Sequence, residues 1–310
     1  MTGQGLSRRR FLTIAAACLA AGPAQAKTTT RWRGLALGAE AEITLHGPED
    51  AAGRALQAAR TELRRIERLF SLYDPDSNLS RLNRDGRLDD PAPDFHALLD
   101  ICSGVHTATG GLFDPSVQPL WRALAAHRGA PPAGVLAEAR ARVGWDGVTY
   151  DRTAVRLTRP GMALTFNGIA QGFATDRVAE ALARFGFEET LVNIGEFRAG
   201  AGSWRIGIAD PDQGLVTTRS LERGAIATSS PSALVFGDGG LGHILDPDFP
   251  LREAPWSTVS VEAESAVLAD GFSTALSLLD APAIREILAA NAALRRIVLV
   301  DRDGDVATLV

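Results

Sequence analysis

Ala163-Leu164-Thr165-Phe166-Asn167-Gly168-Ile169-Ala170-Gln171-Gly172 is the stretch on which the fold turns. Residues 163–166 read as a strand, Asn167-Gly168 breaks it, and residues 169–185 read as a helix with Gly186 just past its end. At such a junction the carbonyls before the helix can face a cation, while the amides at its start can face an anion. Gly168 permits close approach and unusual backbone angles at that point. A plain tight turn uses the same residues and remains the alternative reading.

Working outward, residues 33–46 carry Leu35, Leu37, Ile43 and Leu45 in a pattern that fits a first strand pair. Over residues 51–71, Ala52, Leu56, Ala59, Leu63, Ile66, Leu69 and Phe70 recur at three- and four-residue steps, the mark of an amphipathic helix. It ends in the turn Tyr73-Asp74-Pro75-Asp76-Ser77-Asn78, and residues 95–107 predict another helix, broken at Gly110-Gly111. Beyond the central stretch, Leu191-Val192-Asn193-Ile194, residues 204–208 and residues 257–261 predict strands. Residues 264–279 and 281–290 predict helices, before a last strand pair near 297–300 and 307–310. No repeat period and no glycine- or proline-rich linker divides the chain, so an α+β unit with two lobes fits best.

With 310 residues, 45% hydrophobic and 22% charged, the chain can bury a substantial core and is no disordered tail. Arg8-Arg9-Arg10, the apolar run over residues 11–21 and Ala24-Gln25-Ala26 together predict a signal segment over residues 1–26, cut before Lys27. Ser7-Arg8-Arg9-Arg10-Phe11-Leu12 also resembles a twin-arginine export signal, which implies a folded, periplasmic product spanning residues 27–310. A lipid anchor at Cys18 is the weaker reading. Removing three arginines moves the formal charge from -5 to -8, a balance that offers nucleic acid no general attraction. Cys102 is then the remaining cysteine, so no internal disulfide can form, and its apolar surroundings predict a buried, inert thiol.

The chain holds no phosphate-loop motif, no cysteine pair for zinc and no clustered histidines; His46, His96, His106, His127 and His243 are dispersed. An oxygen-ligated cation is easier to build. Asp270 and Thr274 stand four residues apart at an expected helix start and can face one way. With backbone carbonyls they suit magnesium, which shares its ligands with substrate phosphates; a helix cap and a solvated face is the bland alternative. Gly242-His243-Ile244-Leu245-Asp246-Pro247 sets an imidazole beside a possible strand, able to orient a group or exchange a proton, or simply to pack.

Six strings occur in order: Leu69-Phe70-Ser71-Leu72-Tyr73 with Ser80-Arg81-Leu82-Asn83, Gly111-Leu112-Phe113-Asp114-Pro115-Ser116-Val117, the turn at Gly168, Asn193-Ile194-Gly195-Glu196, the His243 string, and Ala269-Asp270-Gly271-Phe272-Ser273-Thr274. Together they resemble the ApbE family of FAD:protein FMN transferases from about residue 33 to 303. The resemblance implies a two-lobed transferase fold with FAD between the lobes and Mg2+ at its pyrophosphate. A Thr or Ser hydroxyl of an acceptor protein takes FMN, and AMP leaves. It implies metal ligation by the Gly168 carbonyl, Asp270 and Thr274. Tyr73, Phe113, Asp114, Pro115, Thr165 and His243 are implied as FAD contacts, with His243 and Asp270 as the catalytic pair. The family's usual turn has an acid where Thr165 stands and a lysine where Gln171 stands. The string at Asn193 has one glycine for the usual two, and Ser229-Ser230 replaces Ser-Gly. This altered pattern resembles an exported, NosX-like branch associated with nitrous oxide respiration, whose acceptor is a membrane-bound electron-transfer protein. The lost acid at 165 keeps a noncatalytic FAD or FMN carrier open as a second reading, and an FAD pyrophosphatase, with water in place of the acceptor hydroxyl, is a third.

Overall fold

The computed structural model describes residues 28–238 and 240–310. The expected signal segment, with Cys18 in it, lies outside the described residues. The chain opens with β1 (Thr29–Ala36), β2 (Ala39–His46), α1 (Glu49–Phe70), α2 (Asn78–Asp85), β3 (Arg87–Asp89) and α3 (Pro93–Ala108). It continues with α4 (Gln118–Ala126), α5 (Ala133–Arg140), β4 (Val148–Tyr150), β5 (Ala154–Leu157), α6 (Ala170–Ala183), β6 (Thr190–Ile194) and β7 (Phe197–Ala199). Then come β8 (Trp204–Asp210), β9 (Gly214–Leu221), β10 (Gly224–Ser229), β11 (Val235–Phe236), β12 (Leu241–Gly242) and β13 (Thr258–Ala263). The last elements are α7 (Ala266–Leu276), α8 (Ala281–Ala290), β14 (Leu294–Val300) and β15 (Val306–Leu309).

An eight-stranded antiparallel sheet in the order β1-β2-β6-β7-β10-β13-β14-β15 forms the backbone of this α+β fold. Alternate residues, among them Ile43, Leu45, Val192, Ile194, Val259, Val261 and Ile297, point into one continuous core. The helices supply the other half of that core. Helix α1 buries Ala52, Ala55, Ala59, Leu63, Ile66, Leu69 and Phe70 along one stripe, which is why its period could be read in advance. On the opposite side of the sheet, the β8–β9 hairpin closes a second cluster of Leu191, Phe197, Trp204, Ile206, Leu221 and Ile226. A third, smaller cluster joins Leu120 and Leu124 of α4 to Phe236 and Leu245.

Two expectations need correction. Residues 163–166 do not form a strand. Asn83 takes the main chain of Leu164 as a strand neighbour would, accepting from its amide at 2.6 Å and donating to its carbonyl at 2.8 Å, so a side chain replaces a sheet ladder. Asp270 and Thr274 lie inside α7, not at its start, because Ser265 caps the helix with a bond from the Leu268 amide. Cys102 is buried as expected, and burial pushes its thiol up, away from reactivity.

Candidate active site

The turn through residues 165–168 is anchored before it is functional. Phe166 lies edge-on to Phe70 and Phe95, with ring centroids 5.5 Å and 5.8 Å away, in the middle of the core. The Thr165 amide donates to the Pro115 carbonyl at 2.8 Å, which brings Phe113-Asp114-Pro115 against Thr165, two segments that sequence assigned to one pocket. Thr165 Oγ1 accepts from the Asn167 amide at 3.2 Å. Buried Asp114 accepts from the Ser116 amide at 2.8 Å; burial raises its pKa more than the Ser116 bonds lower it. Tyr73 stands apart. It sits on the loop between α1 and α2, 73% exposed, with no hydrogen bond to the Thr165 or Asp114 segments among the described residues.

Beyond the turn, α6 and α7 hold each other by exchanging carboxylates. The first amides of any helix lack partners within it. Asp270 of α7 accepts from the Gly172 amide in the first turn of α6 at 2.9 Å. In return Asp176 of α6 accepts from the Ala266 and Val267 amides, the first two of α7, at 3.0 and 2.9 Å. The helices touch so closely at Gly172 that a β-carbon there would lie 2.3 Å from the Ala266 carbonyl oxygen. One turn beyond Asp270, Thr274 Oγ1 reaches the Gly168 carbonyl at 3.4 Å. The structure therefore brings Gly168, Asp270 and Thr274 together as expected. Gly168 is needed for close approach, since a β-carbon would lie 2.7 Å from Thr274 Oγ1, and not for unusual angles, because its φ is not positive.

Glu196 enters this group without having been assigned a role from sequence. It is buried and accepts from the Thr228 amide at 3.1 Å. Burial, then the neighbouring Asp270, lifts its pKa well above the carboxylate range, against the pull of the Thr228 amide. Burial likewise raises Asp270 to about 7, with the Gly172 amide pulling down and Asp176 pushing up. Gln171 packs against the turn before Glu196, where a β-carbon on Gly195 would lie 2.8 Å from the Gln171 carboxamide. Asp176 carried a signal that could have been used: it lies four residues after Gly172, on the same helix face.

His243 follows β12 and is set by main-chain acceptors. Its Nδ1 lies 3.1 Å from the Pro231 carbonyl and 3.2 Å from that of Leu234. Both partners only accept, so Nδ1 carries the proton and Nε2 keeps a free lone pair. Burial lowers the pKa of this ring, and the two carbonyls oppose that in part. The imidazole is thus a neutral base with one usable nitrogen.

Among the described residues, no three His, Cys, Asp or Glu side chains group as a metal site. A cation here has to be held mainly by neutral oxygens, and the Gly168 carbonyl, Thr274 hydroxyl and Asp270 carboxylate form such a hard-oxygen set. The fit is supported by charge. Asp270 and Glu196 are buried, and among the described residues no basic side chain pairs with either. A cavity of about 540 Å³ lined by His46, Gly186 and Glu188 includes none of the expected site residues.

A profile described as the ApbE family matches residues 37–297. A Haemophilus influenzae protein described as FAD:protein FMN transferase is 28% identical over 255 residues, covering 74% of this chain and 73% of its own. A Vibrio cholerae protein of the same description is 30% identical over 238 residues, covering 70% and 71%. The crystal structure of an ApbE protein from Thermotoga maritima superposes with a TM-score of 0.81 at 24% identity, covering 90% of this chain and 96% of its own, and so shares the fold.

Proposed function

The chain belongs to the ApbE family, and on that footing we propose that it is an enzyme that moves the FMN moiety of FAD onto a Thr or Ser hydroxyl of an acceptor protein and releases AMP. The observation that carries this reading is the meeting of Gly168, Asp270 and Thr274 beside the first turn of α6. Carbonyl, hydroxyl and carboxylate oxygens suited to a cation lie together at the start of α6, and a cation that shares its ligands with phosphates fits such a set. These three residues would hold a magnesium ion, which would supply counter-charge to the diphosphate.

The chain's own residues do the rest. Thr165, Phe113, Asp114 and Pro115, drawn together by the Thr165 to Pro115 bond, hold FAD, with exposed Tyr73 as a further contact from the loop after α1. The acceptor oxygen forms a bond to the phosphorus that carries FMN, the bond from that phosphorus to the AMP oxygen breaks, and AMP departs with the electron pair. The acceptor's proton goes to His243 Nε2, the ring nitrogen left free by the Pro231 and Leu234 carbonyls. Asp270 orients the start of α6 as well as serving the cation. Residues 1–26 direct export through the twin-arginine route, so residues 27–310 act in the periplasm. The altered strings at Thr165, Gln171 and Ser230 favour a NosX-like role, with a membrane-bound electron-transfer protein of nitrous oxide respiration as acceptor.

The test is to incubate purified residues 27–310 with FAD, Mg2+ and a candidate acceptor. AMP release matched by flavin covalently held on the acceptor supports transfer. Free FMN and AMP formed without acceptor identifies an FAD pyrophosphatase, and tight flavin binding with neither product identifies a carrier; either result overturns the reading.

A further inference from the structure

Three consecutive residues at the end of β10 contact three different parts of the molecule. Ser229 Oγ lies 2.8 Å from Ser273 Oγ and 3.5 Å from Thr274 Oγ1 on α7. Ser230 Oγ lies 2.7 Å from Thr258 Oγ1 on β13. The Pro231 carbonyl accepts from His243, at 3.1 Å from Nδ1 and 3.3 Å from the backbone amide. We infer that Asp210, acting through Thr258 and Ser230, is a positioning residue for His243. The inference rests on the reading of His243 as proton acceptor given above.

Asp210 closes β8 and is 3% exposed. It accepts from Ser257 Oγ at 2.5 Å, Thr258 Oγ1 at 2.6 Å, and the Asp212 and Gln213 amides at 2.9 and 3.0 Å. Burial opposes its ionised form, but these four donors together outweigh burial and hold it below the usual carboxylate range. An ionised carboxylate only accepts, so the single Thr258 hydroxyl proton points at Asp210. The Thr258 oxygen then faces Ser230 as an acceptor, and the Ser230 hydroxyl must donate to it. Every proton in the chain Ser230 to Thr258 to Asp210 has one direction, and a satisfied buried network of this kind is rigid.

Rigidity at Ser230 passes to His243 through a short piece of main chain. Ser230 starts the turn Pro231–Ala233, where the Ala233 amide donates to the Ser230 carbonyl at 3.0 Å. The carbonyls of Pro231 and Leu234, at the two ends of that turn, are the acceptors that keep the proton on His243 Nδ1. Movement of the turn releases the tautomer, and with it the free Nε2.

Ser230→Ala and Thr258→Val remove the hydroxyls with little change in volume, and Thr258→Ser keeps one in place. The measurements are the ring nitrogen shifts of histidine-labelled protein at neutral pH, assigned with His243→Gln, and kcat and KM for FAD in the transfer assay. We expect Ser230→Ala and Thr258→Val to give a mixed His243 tautomer and about a tenfold lower kcat, a fraction of what a general base contributes, with KM for FAD within about twofold of wild type. Thr258→Ser keeps both wild-type values. A Thr258→Val protein with an unchanged tautomer, or a Thr258→Ser protein as impaired as Thr258→Val, overturns the inference. His243→Gln with full transfer activity overturns the base assignment instead, and the tautomer measurement still decides the role of Asp210.

Discussion

Helices α6 and α7 hold their side of the site by exchanging carboxylates, Asp270 for the start of α6 and Asp176 for the start of α7, whereas His243 is held by carbonyls of the turn leading into a short hairpin that rests on a small apolar cluster. The first arrangement ties together residues about a hundred positions apart with charge-assisted bonds to otherwise unpartnered amides, and a neighbouring β-carbon cannot be admitted. The second relies on Phe236 and Leu245 packing on α4, next to exposed Phe249 and Leu251. The difference suits the two tasks. On the proposed function, oxygens that would face a diphosphate need a fixed spacing, while a side that would admit an acceptor protein needs freedom to open.

Changing Asp270 tests the helix side most severely. Asp270→Asn keeps the shape and leaves an oxygen for the Gly172 amide, so the fold should survive. AMP release should nonetheless fall on the order of 10²–10³-fold, the scale for losing a charge-stabilising group. A variant with unchanged rate and unchanged Mg2+ dependence would remove Asp270 from the site.

The hairpin side should fail differently. Phe236→Ala opens a hole in a cluster with few other members and should cost about 3 kcal/mol, felt locally. Hydrogen exchange should accelerate over residues 235–243 while the amides of Gly172, Ala266 and Val267 keep their protection. Equal acceleration on both sides would show that the two halves unfold as one, and the contrast between them would be lost. Asp176→Ala comes next in size. It strips the Ala266 and Val267 amides of their acceptor, at about 1–2 kcal/mol as for other helix caps, and should weaken Mn2+ binding about tenfold by loosening α7. Unchanged Mn2+ affinity beside a lowered melting temperature would confine Asp176 to stability.

The helix side was also the more legible one in sequence. The stripe of α1 is a local pattern and was found where local rules put it; Asp270 and Thr274 share a helix face as their spacing implies, though inside α7 and not at its start, and the Phe113 and Gly168 strings lie beside Thr165 and Thr274. The apolar run at 163–166 was misread because strand and buried loop share that composition, and what decides between them is Asn83, some eighty residues away. Glu196 and the Asp210 network were silent for the same reason, and Asp176 offered only its spacing from Gly172. A carboxylate shows its role only through the amides and hydroxyls it meets, and here those come from other elements. Strand β10 also escaped assignment: it is buried on both faces through residues 224–227, so no alternation marks it.

Asp210 has the smallest expected effect at neutral pH and a distinct one in acid. Its folded pKa lies below the ordinary carboxylate value, which is about 3.9 in the unfolded chain. The stability it contributes is therefore complete above that value and is lost as pH falls through the folded pKa. Asp210→Asn can still accept from Thr258 but has no charge to lose. Thermal melts between pH 7 and pH 3 should show a smaller acid destabilisation in Asp210→Asn than in wild type, with the two curves converging below pH 4. Parallel curves across that window would mean that Asp210 is not held ionised. The fixed proton directions from Asp210 to Ser230 would then go too, and the hairpin side would be left with packing alone to orient His243.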